Sequence, residues 1–227
     1  MKEQDTSHSG HRQRLRERFE RYGLDSFSDL NTLELLLFYA LPRQDTNPLA
    51  HALLENFGSL ENVLEAMPEE LREVPGMGES AALFLQLIPA VSRRYLIRKA
   101  NHSDQITSPE AAGEYLLPYF FYEQEEHIYG LFLDNRSHIL ACEELSKGVV
   151  NAAEIGVRAL INRAVELKCC YIILAHNHPS GVIMPSAEDE FATLQLRQAL
   201  NGVGVSLIDH LIIADDSYMS MSEVGML

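Results

Sequence analysis

Eight consecutive residues, Cys169 to His176 (CCYIILAH), form an uncharged, mostly apolar run that ends in a polar loop rich in turn residues, His176 to Asp189 (HNHPSGVIMPSAED). A strand with one wet face alternates apolar and polar residues, whereas a run that is apolar at nearly every position suits a strand covered on both faces. The chain must therefore supply helices to both sides of a sheet. Upstream, Val157, Leu160, Ile161, Ala164 and Leu167 share one helical face; downstream, a helix is expected from about Ala187 to Asn201, then a strand from Val205 to Ala214 and a short one at Tyr218 to Met221. Before these, Ser108-Pro109-Glu110 opens a helix to about Leu117. The runs His127 to Leu133 and Ser137 to Leu145 flank the turn Asp134-Asn135-Arg136 as a hairpin. This half reads as α/β.

The first hundred residues have helical periodicity throughout. His11 to Arg21 is a basic amphipathic helix with Leu15 and Phe19 on one face. Leu33 to Leu41 is an apolar helix stopped before Pro42. Asn47 is expected to cap a third helix, with Pro48 at its first position and Gly58 past its end, and Ser59 to cap a short one to about Ala66. Residues 71–88 read as helix, Gly-Met-Gly turn, helix, and Pro89 is expected to kink the last helix before the cluster Arg93, Arg94, Arg98 and Lys99. The polar, aperiodic stretch Asn101 to Ile106 marks the expected boundary between an all-α module, residues 1–100, and an α/β domain, residues 106–227.

Charge divides along the same line: net −3 before residue 101 and −12 after it, within a total of −15. That sum excludes a protein that coats nucleic acid by charge alone. Three cysteines, two of them adjacent, make no disulfide framework and point to a reducing cytosol. With no apolar leader and no run long enough to span a bilayer, a cytoplasmic protein without membrane contact is expected.

The loop after the apolar run carries the chemistry. His176 and His178 are separated by one residue at a strand end, so both imidazoles project to one side and can reach one ion. Pro179, Gly181 and Pro185 turn the chain, Ser186 can cap the following helix, and Asp189 stands at its third position, where its carboxylate can fold back onto the histidines. Two imidazoles and one carboxylate leave a fourth tetrahedral position open on Zn2+, the arrangement of catalytic zinc sites. The competing reading makes Ser186 and Asp189 helix caps only and leaves the histidines in an ordinary turn.

The spacing resembles the JAMM/MPN metalloprotease signature: two histidines around one residue, seven residues, a serine, two residues and an aspartate. With the flanking HNHPSG, the later Leu207-Ile208-Asp209-His210 and the helical first half, nearly the whole chain resembles the bacterial RadC family, which carries a DNA-repair label. The resemblance implies a helical module followed by a JAMM/MPN domain, an α/β fold of cytidine deaminase-like type. By the same resemblance His176, His178 and Asp189 bind zinc and Ser186 hydrogen-bonds the tetrahedral oxyanion. It also requires an upstream glutamate that takes a proton from the activated water. Glu126, just before the strand Ile128 to Leu133, fits best, with Glu125, Glu143 and Glu144 as neighbours and a solvated acidic turn as its plain alternative. Asn177 departs from the Ser or Thr that many JAMM peptidases have between the histidines. That departure leaves the substrate, a protein or peptide, open.

Residues 71–88 resemble a helix-hairpin-helix motif, in which Gly76 and Gly78 bring main-chain N–H groups to a DNA phosphate while Met77 packs inward. Glu79 and the acidic stretch from Glu61 favour a structural or protein-binding hairpin instead. Arg12, Arg14 and Arg16 are the electrostatic candidates for phosphate, with a solvated helix face as their alternative. Two functions follow: a zinc metallohydrolase cleaving a peptide or isopeptide bond, or a DNA-binding repair accessory protein whose metal site is structural or vestigial.

Overall fold

A computed structural model describes residues 5–100, 104–148 and 156–227. Residues 101–103, the start of the polar stretch read as a boundary, lie outside the described residues. The chain divides into two compact units, Met1–Ser92 and Arg93–Leu227. The division thus falls inside a continuous helix, upstream of the composition break at Asn101.

In the first unit, α1 (Asp5–Tyr22), α2 (Asp29–Ala40), α3 (Asn47–Phe57), α4 (Leu60–Glu65), α5 (Pro68–Glu73) and the start of α6 (Glu79–Ala100) follow one another through short turns. Leu33, Leu37, Leu53, Val63, Leu71, Ala81 and Leu85, all inaccessible to solvent, form their core. Ser28 and Ser59 cap α2 and α4 by accepting from the backbone N–H of Asn31 and Asn62. Asn47 does not cap α3. It lies inside the helix, Thr46 takes the cap position, and the carboxylate of Asp45 accepts from the Asn47 N–H. Pro89 sits buried within α6, which continues beyond it to Ala100.

The second unit holds α7 (Pro109–Leu116), a 3-10 turn (Leu117–Tyr119), β1 (His127–Leu133), β2 (Ile139–Lys147), α8 (Val157–Leu167), β3 (Tyr171–Asn177), α9 (Ala187–Asn201), β4 (Ser206–Ala214) and β5 (Ser217–Ser220). The five strands form one sheet in the order β2-β1-β3-β4-β5, with β3 and β4 parallel and every other pair antiparallel. A parallel pair needs a crossover, and α9 supplies it. Ile128, Phe132, Ile172 and Leu174 pack against Leu160 and Ala164 of α8 and Ala192, Leu196 and Leu200 of α9. Tyr129, Leu131, Ile173, Ala175 and Leu211 pack on the other side against Ala112, Tyr115 and Leu116 of α7. Both faces of β3 are covered, which is why its sequence does not alternate. The described residues contain no helix long and apolar enough to cross a membrane.

Candidate metal centre

β3 ends where the chemistry begins. His176 belongs to the face packed under α9, Asn177 to the opposite face, and His178, one residue past the strand, returns to the side of His176. The N–H of His178 donates to Ile213 O at 2.8 Å, so pairing with β4 holds this first loop residue too. Gly181, at φ +75°, closes the following turn by donating to His178 O. Ser186 then caps α9 as expected: Asp189 N–H donates to Ser186 Oγ at 3.1 Å, and Ser186 N–H donates to Asp189 Oδ2 at 2.8 Å. The capping box aims the Asp189 carboxylate back at the histidines.

The ligand atoms of His176, His178 and Asp189 all lie within 4.8 Å of one another. The two Nε2 atoms are 2.9 Å apart, with Asp189 Oδ1 3.3 Å from His176 Nε2 and Oδ2 3.4 Å from His178 Nε2. The hydrogen-bond network assigns the protons. His178 Nδ1 lies 2.7 Å from Val182 O, which can only accept, so Nδ1 carries hydrogen. Thr193 Oγ1 donates to Asp189 O at 2.6 Å, so it accepts from His210 Nδ1, also at 2.6 Å. His210 Nε2 is then an acceptor and receives the Nδ1–H of His176 at 2.8 Å. In the neutral imidazoles both Nε2 atoms therefore present lone pairs to each other and to a carboxylate. A cation, either a proton or a metal ion, must occupy the point between them, and two imidazoles with one carboxylate are a donor set that zinc accepts.

The electrostatics agree. Burial opposes ionisation of Asp189, but hydrogen bonds from His176, His178 and Ser186 prevail and hold its carboxyl far below the usual range. His178 is raised, first by its hydrogen bond to Asp189. His210, wholly buried, is pushed well below its ordinary value by desolvation and then by the charge of His176, which keeps it neutral as an acceptor. Asp209 beside it accepts from the N–H groups of His210 and Ser222 and from Ser220 Oγ. His210 thus fixes the tautomer of His176, a candidate ligand.

Glu126 directly precedes β1. Ile128 faces α9, so alternation places Glu126 on the face of His176 and His178. A cavity of about 580 Å³ is lined by Glu126, His178, Val182, Met184, Ser186 and Asp189. The competing glutamates are engaged elsewhere: Glu143 with Arg163, Glu144 with His127, and Glu125 3.8 Å from Lys147 on the surface. Sequence reasoning missed the part played by Asn177. Its Oδ1 accepts from His127 N–H at 2.7 Å and its Nδ2 donates to Glu125 O at 3.0 Å.

In the first unit, Arg12 donates to the carbonyls of Leu41 and Pro42 at 2.7 and 2.8 Å, and also to that of Gln44. It closes the C-terminus of α2 and lies over the Phe38 ring, while Arg16 lies over Tyr39. Of the three arginines named for phosphate, Arg14 is exposed and Arg12 and Arg16 are half-buried. Met77 is buried as expected, and Gly76 turns at φ +96°. Beside this turn, however, a cavity of about 350 Å³ presents Glu70 and Glu73, carboxylates that repel phosphate. A helix-hairpin-helix assignment for residues 71–88 finds no support here.

Comparison with known proteins assigns residues 106–226 to the RadC-like JAB domain and residues 7–83 to the UPF0758 N-terminal region. The chain is 35% identical to a UPF0758 protein of Fusobacterium nucleatum subsp. nucleatum over 234 aligned residues, covering all of both chains. It is 38% identical to one of Rhodobacter capsulatus, covering 94% of this chain and 100% of the relative, and 37% identical to one of Ruegeria pomeroyi, covering 96% and 97%. These relatives match this chain over nearly its full length, and the chain belongs to the UPF0758 family, with a RadC-like JAB domain as its second part.

Proposed function

We propose that this protein is a cytoplasmic zinc-dependent hydrolase of peptide or isopeptide bonds. One observation carries the reading: two imidazole lone pairs and a carboxylate converge on one point, beside a cavity that Glu126 and Ser186 also line. A zinc ion held by His176, His178 and Asp189 supplies Lewis acidity toward a carbonyl and lowers the pKa of a coordinated water to about 7.

The remaining work falls to the chain's own side chains. Glu126 takes the proton of the attacking water and returns it to the leaving amine, from a cavity open enough to admit a peptide. Ser186 Oγ donates to Asp189 Oδ2 at 2.6 Å and is held in place by the Asp189 N–H. To serve an oxyanion, the hydroxyl proton swings away from Asp189 while the oxygen stays fixed, which confines the motion to one rotor. The exposed Val182 and Met184 offer an apolar wall to the substrate.

The test is metal content by elemental mass spectrometry for wild type, His178→Ala and Glu126→Gln, with hydrolysis of an unbiased peptide library on the same samples. One zinc per chain is expected in wild type and Glu126→Gln and none in His178→Ala. Cleavage is expected to be absent in His178→Ala and slower by about 10²–10⁴-fold in Glu126→Gln. Wild type without zinc, or cleavage that survives loss of the metal, overturns the reading. The DNA-accessory alternative keeps Arg14 and Arg16, whereas Arg12 donates to the carbonyls at the end of α2.

A further inference from the structure

We propose that Asn177 is a positioning residue for Glu126: its side-chain amide grips the backbone on both sides of that glutamate and ties it to the strand that carries the histidine ligands. The inference rests on the hydrolase reading above.

Asn177 is the last residue of β3 and is only 5% exposed. Lying between two candidate ligands, it points to the other face of the sheet and takes no part in the ligand cluster. A primary amide has one oxygen acceptor and one nitrogen donor group, and here each has a single partner that permits no exchange of roles. His127 N–H can only donate and faces Oδ1 at 2.7 Å; Glu125 O can only accept and faces Nδ2 at 3.0 Å. These two groups flank Glu126. The carbonyl of Glu126 itself accepts from Gly148 N–H at 2.8 Å.

The backbone ladder between β1 and β3 ends at the pair Ile128 and His176. The Asn177 side chain imitates a peptide group and continues that ladder past its end, opposite the hydrogen bond from Gly148. Glu126 is outside β1, next to the exposed residue Glu125, so this grip ties its backbone to β3 beyond the last ladder pair. Because Asn177 sits between His176 and His178, the ligands and the base are referenced to one strand. A displacement of about 1 Å between reacting groups costs on the order of 10²-fold in rate. No other side chain of this length combines donor and acceptor. Aspartate lacks the donor, and serine or threonine, which many JAMM peptidases carry here, places donor and acceptor on one shorter-reaching oxygen instead of on the two separate atoms that meet His127 N–H and Glu125 O.

The experiment uses the full chain as wild type, Asn177→Ala, Asn177→Ser, Glu126→Gln and Asn177→Ala/Glu126→Gln. Zinc content, kcat and KM on a fluorogenic peptide chosen from the library, and exchange protection of the His127 amide in metal-free protein are measured on each. The expected result is full zinc content with kcat lowered about 30- to 100-fold in Asn177→Ala and KM within about twofold. Asn177→Ser falls between, and it substitutes for the alanine variant should that one fail to fold. The His127 amide loses protection in Asn177→Ala, and the double variant is no slower than Glu126→Gln alone, because a residue that acts through Glu126 has nothing left to lose. Unchanged kcat with zinc retained, or a further loss of the same size in the Glu126→Gln background, overturns the proposal. A wild type that hydrolyses nothing overturns the hydrolase reading instead. The His127 amide then decides the grip by itself, with protection lost in Asn177→Ala upholding it and protection kept refuting it.

Discussion

His210 Nε2 stands 2.8 Å from Nδ1 of His176, although 34 residues separate them in the chain. The acceptor is neutral, buried and itself oriented by Thr193, so the proton of His176 is held on Nδ1, away from the cluster with His178 and Asp189. Replacing His210 by alanine leaves a buried N–H without a partner and frees the His176 ring to turn. Zinc affinity is expected to fall about 10- to 100-fold, with a smaller fall for Thr193→Val. A competition titration against a chromophoric chelator checks both, and equal affinities would refute the relay.

Removal of the metal has a sign that depends on pH. In the ion-free protein, the raised His178 adds stability that is complete below its unfolded value of 6.5 and is lost as pH rises through its higher folded value. Asp189, depressed, adds stability present above 3.8 and lost only as pH falls far below that. Apo protein should therefore lose thermal stability as pH climbs above about 6.5, whereas zinc-loaded protein should not. The gain from zinc at a thousandfold excess over its Kd is about 4 kcal/mol, and at a fixed zinc concentration the gain grows across that window as the competing proton leaves His178. Melting curves from pH 5 to 9 with and without zinc distinguish the two.

Ser186 has a structural duty that can be separated from its proposed chemical one. Ser186→Ala should cost about 1 kcal/mol through loss of the α9 cap. Ser186→Asn should restore the cap, since asparagine is an equally good one. Alanine has no donor for an oxyanion and should reduce kcat by about 10²–10³-fold, whereas the asparagine amide can still donate and should lose less. Denaturant melts and turnover on the same samples give the split, and full activity in Ser186→Ala would remove the oxyanion role.

Arg12 and Arg14 sit two residues apart on α1 and differ in what they touch. Arg12→Ala opens the carbonyls of Leu41, Pro42 and Gln44 and uncovers Phe38, for an expected loss of about 1–2 kcal/mol. Arg14→Ala should be neutral within about 0.5 kcal/mol. Urea melts check this. Salt-dependent DNA binding that weakens in Arg14→Ala would return weight to the nucleic-acid reading.

The elements of the second unit were legible because their signals are local. His127–Leu133 and Ala187–Asn201 begin and end where alternation and capping place them. The cluster of His176, His178 and Asp189 was legible for the same reason, since one strand end, one turn and one capping box bring the three together. Asn177, Thr193 and His210 were not, because their contacts depend on which strands neighbour β3 and in what register. The position of Asn177 beside His127 is set 50 residues away. The contacts of the basic face of α1 were hidden in a different way: charge is visible in a sequence, but the carbonyls that Arg12 meets belong to the end of another helix. The division inside α6 was hidden because helical periodicity runs unbroken while the residues packed against the helix change.

Asp209 gathers Ser220, Ser222 and the His210 amide around one buried carboxylate. Two of those three donors come from the last eight residues, and Met221 among them is wholly buried. A stop codon after Met219 would leave that carboxylate stripped of side-chain support, one residue from the histidine that orients His176. Truncation of these last eight residues is thus expected to loosen the proposed metal site from a distance, through Asp209 and His210, without removing any of His176, His178 and Asp189.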